Sequence, residues 1–366
     1  MRVRHVLTYV GIDGAFGGPT TVARTQVAEL IAGGIDATLW AGWDGEKSSE
    51  PGVQAERLFI AHRLSKSFAG TFSFQLLLKL WASRKSFDIT HVHLARDLIT
   101  LPAALLLHVS KQPYVVQTHG MVMSDVRGVR WLIDAVLTRR ILKGAKAVLC
   151  VNLNEARDMQ EFGVRQANVL QVAVAIDVAP CAHVRSQGPA NVLFLGRLHT
   201  RKRVMLFAQA AVAFTRLHPG RATFSAIGPD EGDLDNLRSY IREKEAEAYL
   251  SYEGAIAPSV VVSRLCQSQV MVVCSEAESF GMSALEALST GMPIVVTDRV
   301  ALADIVGRDN LCLTVAEDDP TAIAKAVART LDEIEIRSRA AIETVEQGPF
   351  AHEHLLSTLR NAYGRE

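Results

Sequence analysis

Residues 274–298 read CSEAESFGMSALEALSTGMPIVVTD. Met271, Val272 and Val273 lead into Cys274 as a short apolar run, the composition of a strand buried on both faces of a parallel sheet. Glu278, Ser279, Phe280 and Gly281 interrupt it. Residues 283–289 then carry Leu285 and Leu288 three apart, which predicts a helix with one buried stripe. Gly291 and Pro293 stop that helix, and residues 294–297 re-enter a sheet. The chemistry lies in the turn. A helix that opens beyond a strand's carboxyl end aims free backbone N–H groups and a positive dipole end at the crevice, so it suits a phosphate. Glu278 lies just before the helix and Glu286 eight residues on, inside it. Carboxylates touching a phosphate would repel it, so these two are better placed to accept hydrogen bonds from hydroxyls on either side, as on a nucleotide sugar.

A second element ends the predicted strand 191–195 with Gly196-Arg197-Leu198-His199-Thr200-Arg201-Lys202. Glycine lets the chain turn sharply, while Arg197 and Lys202 set two cations where a departing diphosphate would gather charge. Arg201 and Arg203 read as solvated charges. Gly228-Pro229-Asp230 ends another strand and offers Gly228 as a backbone contact. Asp233 and Asp235 form a D-x-D pair, but they precede a helix and read as its cap, not as a metal site.

The first half carries its own crevice signals. Gly17-Gly18-Pro19 follows a first strand, residues 5–10, and opens a helix. Gly11, Gly14 and Gly17 have the wrong spacing for the dinucleotide fingerprint, which disfavours a nicotinamide cofactor. Gln117-Thr118-His119-Gly120 lies just beyond the strand 113–117, so His119 faces a crevice. His91 and His93 flank Val92 on one strand face. No third ligand is spaced to make them a metal site, and they read as structural and crevice residues respectively.

Strands and helices alternate along all 366 residues, which predicts doubly wound parallel sheets and, from the length, two domains. Strands are expected at residues 5–10, 37–41, 88–93, 113–117 and 147–151, then at 191–195, 222–226, 270–274 and 294–297. Phe74, Leu77, Leu78 and Trp81 stand at helical spacing in a helix 72–82, and Asn154 is placed to cap a helix running to residue 161. Residues 179–190, with two prolines and a glycine, form the expected linker between domains at 1–180 and 187–349. The content is 49% apolar and 21% charged, with zero formal net charge. The halves differ: residues 1–180 hold 20 Lys and Arg against 15 Asp and Glu, leaving the excess acid in the second half. Five cysteines (Cys150, Cys181, Cys266, Cys274, Cys312) show no C-x-x-C pair, which argues against a zinc site and for a reducing compartment. The opening MRVRHVLTYVGIDG reads as a first strand, not a secretory signal, and no apolar run approaches a membrane span. Arg127, Arg130, Arg139, Arg140, Lys143 and Lys146 surround Trp131, Leu132, Ile133, Val136 and Leu137, the pattern of a basic amphipathic helix that either packs on the sheet or lies on an anionic bilayer.

The segment ESFGMSALEALSTGMPIV resembles the E-x7-E signature of retaining glycosyltransferases of family 4, and Gly196-Arg197-Leu198 with Lys202 is similar to that family's G-R-L-x-x-x-K element. The resemblance implies the GT-B fold: two Rossmann-like α/β domains with doubly wound parallel sheets facing a cleft, a terminal helix at 350–366 packing back on the first. It implies a nucleoside-diphosphate sugar as donor, bound without cofactor or metal. Arg197 and Lys202 would hold the diphosphate with the backbone of Gly281 and Met282, and Gly196, Gly228 and Phe280 would line the donor site. Glu286 would take the ribose and Glu278 the sugar hydroxyls. Gly17 and Gly18 would approach the donor, and His119 would stabilise charge on the sugar or orient the acceptor. The sequence departs from the family's N-G-[IV]-D turn, with Val174-Ala175-Ile176-Asp177 in its place.

These features together lead to a retaining, metal-independent glycosyltransferase that acts on a glycan or lipid-linked saccharide in polysaccharide or cell-envelope synthesis. It is expected in the cytoplasm with no nucleic-acid partner, and the second of the two readings of residues 127–146 would place it against the inner face of the plasma membrane. Two other functions stay open: a silent nucleotide-sugar-binding protein, and a sugar-nucleotide epimerase or hydrolase on the same fold.

Overall fold

A computed structural model describes residues 1–10, 17–43, 55–64, 68–123, 133–181, 188–276, 278, 281–298, 300, 302, 312–315 and 318–364. Phe280 of the candidate donor site, and Arg127, Arg130, Trp131 and Leu132 of the basic segment, lie outside the described residues. The chain forms two compact units, Met1–Ala175 with His352–Glu366, and Ile176–Ala351. The division falls inside the 174–177 run, where Val174 and Ala175 are buried.

The first unit is built on β1 (Arg2–Tyr9), β2 (Asp36–Trp43), β3 (Glu56–Ile60), the small hairpin β4 (His62–Arg63) and β5 (Thr71–Phe72), then β6 (Ile89–His93), β7 (Tyr114–Gln117), β8 (Val148–Cys150) and β9 (Val169–Gln171). Seven strands form one parallel sheet in the order β3-β2-β1-β6-β7-β8-β9. β1 is covered on both faces, so Arg4 and His5 are as buried as Val3 and Val6. Arg4 is tolerated because its guanidinium lies over the rings of Trp40 and Phe87 and donates to Ser83 and Thr90.

Two helix expectations are corrected here. In Phe74–Ala82 the buried stripe is Leu76 and Leu80, while Phe74, Leu78 and Trp81 are exposed. Ser73, whose hydroxyl accepts from the Leu76 amide, fixes where that helix starts. In Leu153–Glu161 the cap is Asn152, not Asn154: its Oδ1 accepts from the Glu155 amide at 2.8 Å. The terminal helix His352–Tyr363 belongs to this first unit. It buries Leu355, Leu359, Ala362 and Tyr363, and His352 meets Glu29 at 2.7 Å.

The second unit holds β10 (Ala190–Leu195), β11 (Ala222–Ile227), β12 (Leu250–Gly254), β13 (Val270–Val273), β14 (Ile294–Thr297) and β15 (Cys312–Val315). All are parallel, in the order β12-β11-β10-β13-β14-β15. Phe207 and Phe214 each meet Phe224 edge-on within its core. Cys181 and Cys266 form a disulfide across 85 residues of sequence, while Cys150 and Cys274 are free and buried. The pairing departs from the reducing compartment expected from the scattered cysteines. Spacing along a chain says nothing of a contact made by tertiary structure.

Candidate active site

In the second sheet β10 and β13 are neighbours, yet the chain leaves β10 towards β11 and β13 towards β14. The loops after such a pair part in opposite directions, and the crevice between their carboxyl ends is where an open α/β sheet takes its ligand. Gly196 follows β10 and Glu278 follows β13, so both predicted segments meet at that switch point.

Backbone bonds pin the loop after β10. Gly196 donates to the Ile227 carbonyl at 2.9 Å, and Leu198 to that of Pro229 at 2.8 Å. Gly228 stands at φ +146, where a β-carbon would run into the Gly196 carbonyl. Asp230 caps the next helix, Leu234–Glu243: its Oδ1 accepts from the Gly232 amide at 2.8 Å and the Leu234 amide at 3.2 Å. Asp233 makes no side-chain cap bond, so the capping role expected around Asp235 belongs upstream, to Asp230.

The Glu276 amide donates to the Arg201 carbonyl at 2.8 Å, stitching the loop after β10 to the one after β13. Beside that stitch Lys202 Nζ forms an ion pair with the Glu278 carboxylate, and both are half-buried. Arg197 is more exposed, at 57% of its side chain, and its Nη1 is held by both oxygens of Glu231. Arg201 is exposed. Arg203 is not the solvated charge expected, since it pairs with Asp318 at 2.5 Å. The helix Met282–Ser289 starts from Gly281, whose φ of +79 suits glycine, and a β-carbon there would stand 3.3 Å from the Glu278 side chain. The first amides of this helix lack intrahelical acceptors and complete an anion-ready corner beside Lys202. Glu286, four residues beyond Met282 and so on the same face, is half-buried. Burial pushes its carboxyl above the ordinary range, and it makes no hydrogen bond to the described residues.

In the first unit the corresponding switch lies between β1 and β6. Gly17 and Gly18 open the helix Gly17–Ala32, and a β-carbon on Gly18 would meet nothing within 4 Å. Gln26 of that helix donates to Gln117 at 2.9 Å. His119 takes a left-handed conformation, φ 50, just past β7. The turn is held by Glu155, which the sequence reading passed over. Its carboxylate accepts from the Thr118 hydroxyl, from the Gly120 amide at 2.8 Å and from the Val151 amide at 2.7 Å. The available signal was the Asn152-x-x-Glu155 spacing of a capping box. His119 Nε2 lies 2.7 Å from His93 Nδ1, and burial pushes its pKa down to about 3, so its ring is neutral. His5 is the third histidine thought to be missing beside His91 and His93. It pairs across the sheet with His91, and the three offer ring nitrogens within 4.8 Å of one another. Five of the six nitrogens of those rings are committed to hydrogen bonds with each other, with His119 and with Tyr363, and His91 Nε2 has no partner among the described residues.

Residues 189–333 match the family described as glycosyl transferases group 1, and residues 17–175 match the glycosyl transferase 4-like domain. A glycogen synthase of Mycobacterium tuberculosis is 26% identical over 267 residues, covering 69% of this chain and 63% of that protein. A D-inositol 3-phosphate glycosyltransferase of Corynebacterium glutamicum is 24% identical over 377 residues, covering 91% and 88%. The chain thus spans less than two thirds of that synthase's length and most of the second relative's. Among solved structures, Anabaena HepE in complex with UDP and glucose superposes with a TM-score of 0.72 at 14% identity, over 99% of this chain and 98% of that one. TarM of S. aureus, in complex with fondaparinux, α-GlcNAc-glycerol and UDP, gives 0.74 at 11% identity over the whole of both chains. At these identities the structural likeness establishes the fold.

Proposed function

From the premise that the chain belongs to the family-4-type glycosyltransferases of GT-B fold, we propose that it moves a sugar from a nucleoside diphosphate to a glycan or lipid-linked saccharide, with retention and without a metal. As the glycosidic bond breaks, negative charge collects on the departing diphosphate. Lys202, Arg197 and the first amides of Met282–Ser289 offer fixed positive charge and dipole for it. These cations take the part a divalent ion plays elsewhere. Glu286, half-buried and without a protein partner among the described residues, is assigned the ribose hydroxyls, and Glu278 those of the sugar. In the free protein Glu278 occupies Lys202, so donor binding exchanges an internal ion pair for one with phosphate. Neutral His119 is assigned to the sugar or the acceptor. Retention by same-face attack, with the leaving phosphate oxygen taking the acceptor's proton, follows from the family resemblance. Exposed Arg139, Arg140 and Lys143, beside half-buried Leu137, are assigned to an anionic bilayer that presents a lipid-linked acceptor.

What carries this proposal is the convergence of Lys202, Glu278 and the start of the helix bearing Glu286 at the switch point of one sheet. A thermal-shift panel of UDP-, GDP-, ADP- and dTDP-sugars tests it, because a ligand that binds only the folded state raises the melting point. One class should stabilise the protein, Glu286→Ala should abolish that shift, and His119→Ala should keep the shift and lose transfer. Stabilisation by none of the four, or identical behaviour of both variants and the parent, would overturn the assignment. Release of free sugar with no need of an acceptor would move the chain to hydrolysis.

A further inference from the structure

Five side chains of the first unit stand in one hydrogen-bonded line. His91 Nδ1 lies 2.9 Å from Tyr363 Oη, Tyr363 Oη 3.1 Å from His5 Nε2, His5 Nδ1 3.0 Å from His93 Nε2, and His93 Nδ1 2.7 Å from His119 Nε2. His5, His91, His93 and Tyr363 are buried, and the rings of His91, His93 and His119 stack in sequence at 4.6 and 5.0 Å. Burial holds the four histidines neutral and Tyr363 protonated. A neutral imidazole has one N–H and one lone pair. His5 and His93 use both nitrogens within the line, so each must donate at one and accept at the other. Two polarities run unbroken along the line. In a third arrangement His91 Nδ1 and His5 Nε2 both donate to Tyr363, whose own buried O–H then has no partner in the line, and that arrangement is disfavoured for that reason.

The far end decides between the two unbroken polarities. Among the described residues, His91 Nε2 is buried with no hydrogen-bond partner. In one polarity it carries a proton, leaving a buried N–H unsatisfied. In the other it carries a lone pair. Orphaned buried N–H groups are the rarer of the two, since a donor stripped of water has no second way to be satisfied. His91 thus donates from Nδ1 to Tyr363, Tyr363 to His5 Nε2, His5 from Nδ1 to His93 Nε2, and His93 from Nδ1 to His119 Nε2.

We infer that Tyr363, His5 and His93 form a one-way hydrogen-bond chain that fixes His119 in its Nδ1–H tautomer, so that His119 meets an oxygen of its ligand as a hydrogen-bond donor and not as a base. His119 Nδ1 makes no bond to the described residues and is the free end of the line. Its ligand is the reacting sugar or acceptor of the function proposed above, and the inference about its chemistry rests on that proposal, whereas the tautomer belongs to the protein alone. His93 and His5 are positioning residues: they act through His119. Tyr363 comes from the terminal helix, so that helix supplies one link in the chain.

The test is the pair of ring-nitrogen shifts of each histidine in full-length protein labelled with 15N-histidine, assigned with His119→Gln and read at pH 7 without substrate. His119, His93 and His5 should all show the Nδ1–H pattern, and Nε2–H at His119 in the parent would overturn the inference. His93→Leu removes the donor and should shift the His119 tautomer ratio towards Nε2–H by roughly fivefold, the equilibrium weight of one neutral hydrogen bond. His93→Gln, whose amide can donate to the same nitrogen, should keep the parent ratio. An unchanged ratio in His93→Leu would show that the neighbour does not set it. Metal analysis is the second arm. About one equivalent of a transition metal, lost together with the histidine pattern on chelation, would make His5, His91 and His93 a metal site and end the case. Because these shifts need no substrate, a protein that transferred no sugar would still return the Nδ1–H pattern.

Discussion

A β-carbon on Gly228 would stand 1.9 Å from the carbonyl oxygen of Gly196. The two glycines end neighbouring strands, β11 and β10, and their contact brings the loops of the second unit's switch point together. They are not equivalent. Gly228 has φ +146, in a region L side chains avoid, while a β-carbon on Gly196 would meet nothing closer than 3.9 Å. Gly228→Ala should cost about 3 kcal/mol, from strain plus displacement of the Gly196 loop, and Gly196→Ala less than about 1 kcal/mol. Urea midpoints of the two variants check this. Equal values would mean that the close approach is not held in solution.

The ion pair between Lys202 and Glu278 makes opposite predictions for its two members. Lys202→Ala removes a cation from the anion corner and should weaken a nucleoside diphosphate by roughly 10- to 100-fold, the range for a charge-assisted bond. Glu278→Gln frees Lys202 and should tighten the same nucleotide while lowering transfer, since a sugar-binding carboxylate is lost. Calorimetry with the nucleotide alone, set beside turnover with the full donor, separates the two effects. Weaker nucleotide binding in Glu278→Gln would remove the competition on which this rests.

The interior of both sheets was legible in the sequence. The nine expected strands are the central ones, most of them the apolar runs that a strand covered on both faces requires. β3, β9, β12 and β15 went unread, and they are the edges of the two sheets. An edge strand needs only part of its surface buried: Glu56–Ile60 mixes two charged residues with a single buried one, Phe59. Periodicity has little to hold there. At the site, Gly196, Lys202, Glu278 and Gly281 were readable because they lie close in sequence to strand ends. His5 and Tyr363 were not, because their partners are far off in the chain: Tyr363 and His5 are 358 residues apart. Glu155 left a local trace in its capping-box spacing, but its bonds to Thr118 and Gly120 span more than thirty residues.

The buried histidines tie stability to pH. His119 titrates near 6.5 when unfolded and near 3 when folded, because burial disfavours its charged form. Between those values the unfolded chain holds the extra proton, so stability falls as pH drops from about 6.5 towards 3. His5, His91 and His93 shift in the same direction. Glu155 and Asp97 oppose them, since their raised values favour the folded state on acidification until the unfolded carboxyls protonate, near 4.5 and 3.8. His119→Asn, which tolerates the left-handed backbone, should flatten the fall by up to about 1.4 kcal/mol per pH unit, one proton's worth. Urea unfolding at pH 6.5, 5.5 and 4.5 measures the slopes. Parallel slopes in parent and variant would mean that His119 protonates in the folded state.

Glu155 gives the sharpest separation of fold from chemistry. Its carboxylate takes three donors, two of them backbone amides, and so holds the turn in which His119 sits at φ 50. Glu155→Ala leaves the buried Val151 amide and the half-buried Gly120 amide without acceptors and should cost about 3 kcal/mol. The loss should appear in the first unit, where Glu155 and His119 both lie, and not in the residues assigned to the nucleotide. At a temperature where the variant stays folded, turnover should fall roughly tenfold or more while donor affinity holds within about twofold, because a mis-set catalytic group costs rate without costing ground-state binding. Donor titration and steady-state rates on the same preparation decide it. Affinity falling in step with rate would place the donor against the His119 turn and reassign the division of labour between the units.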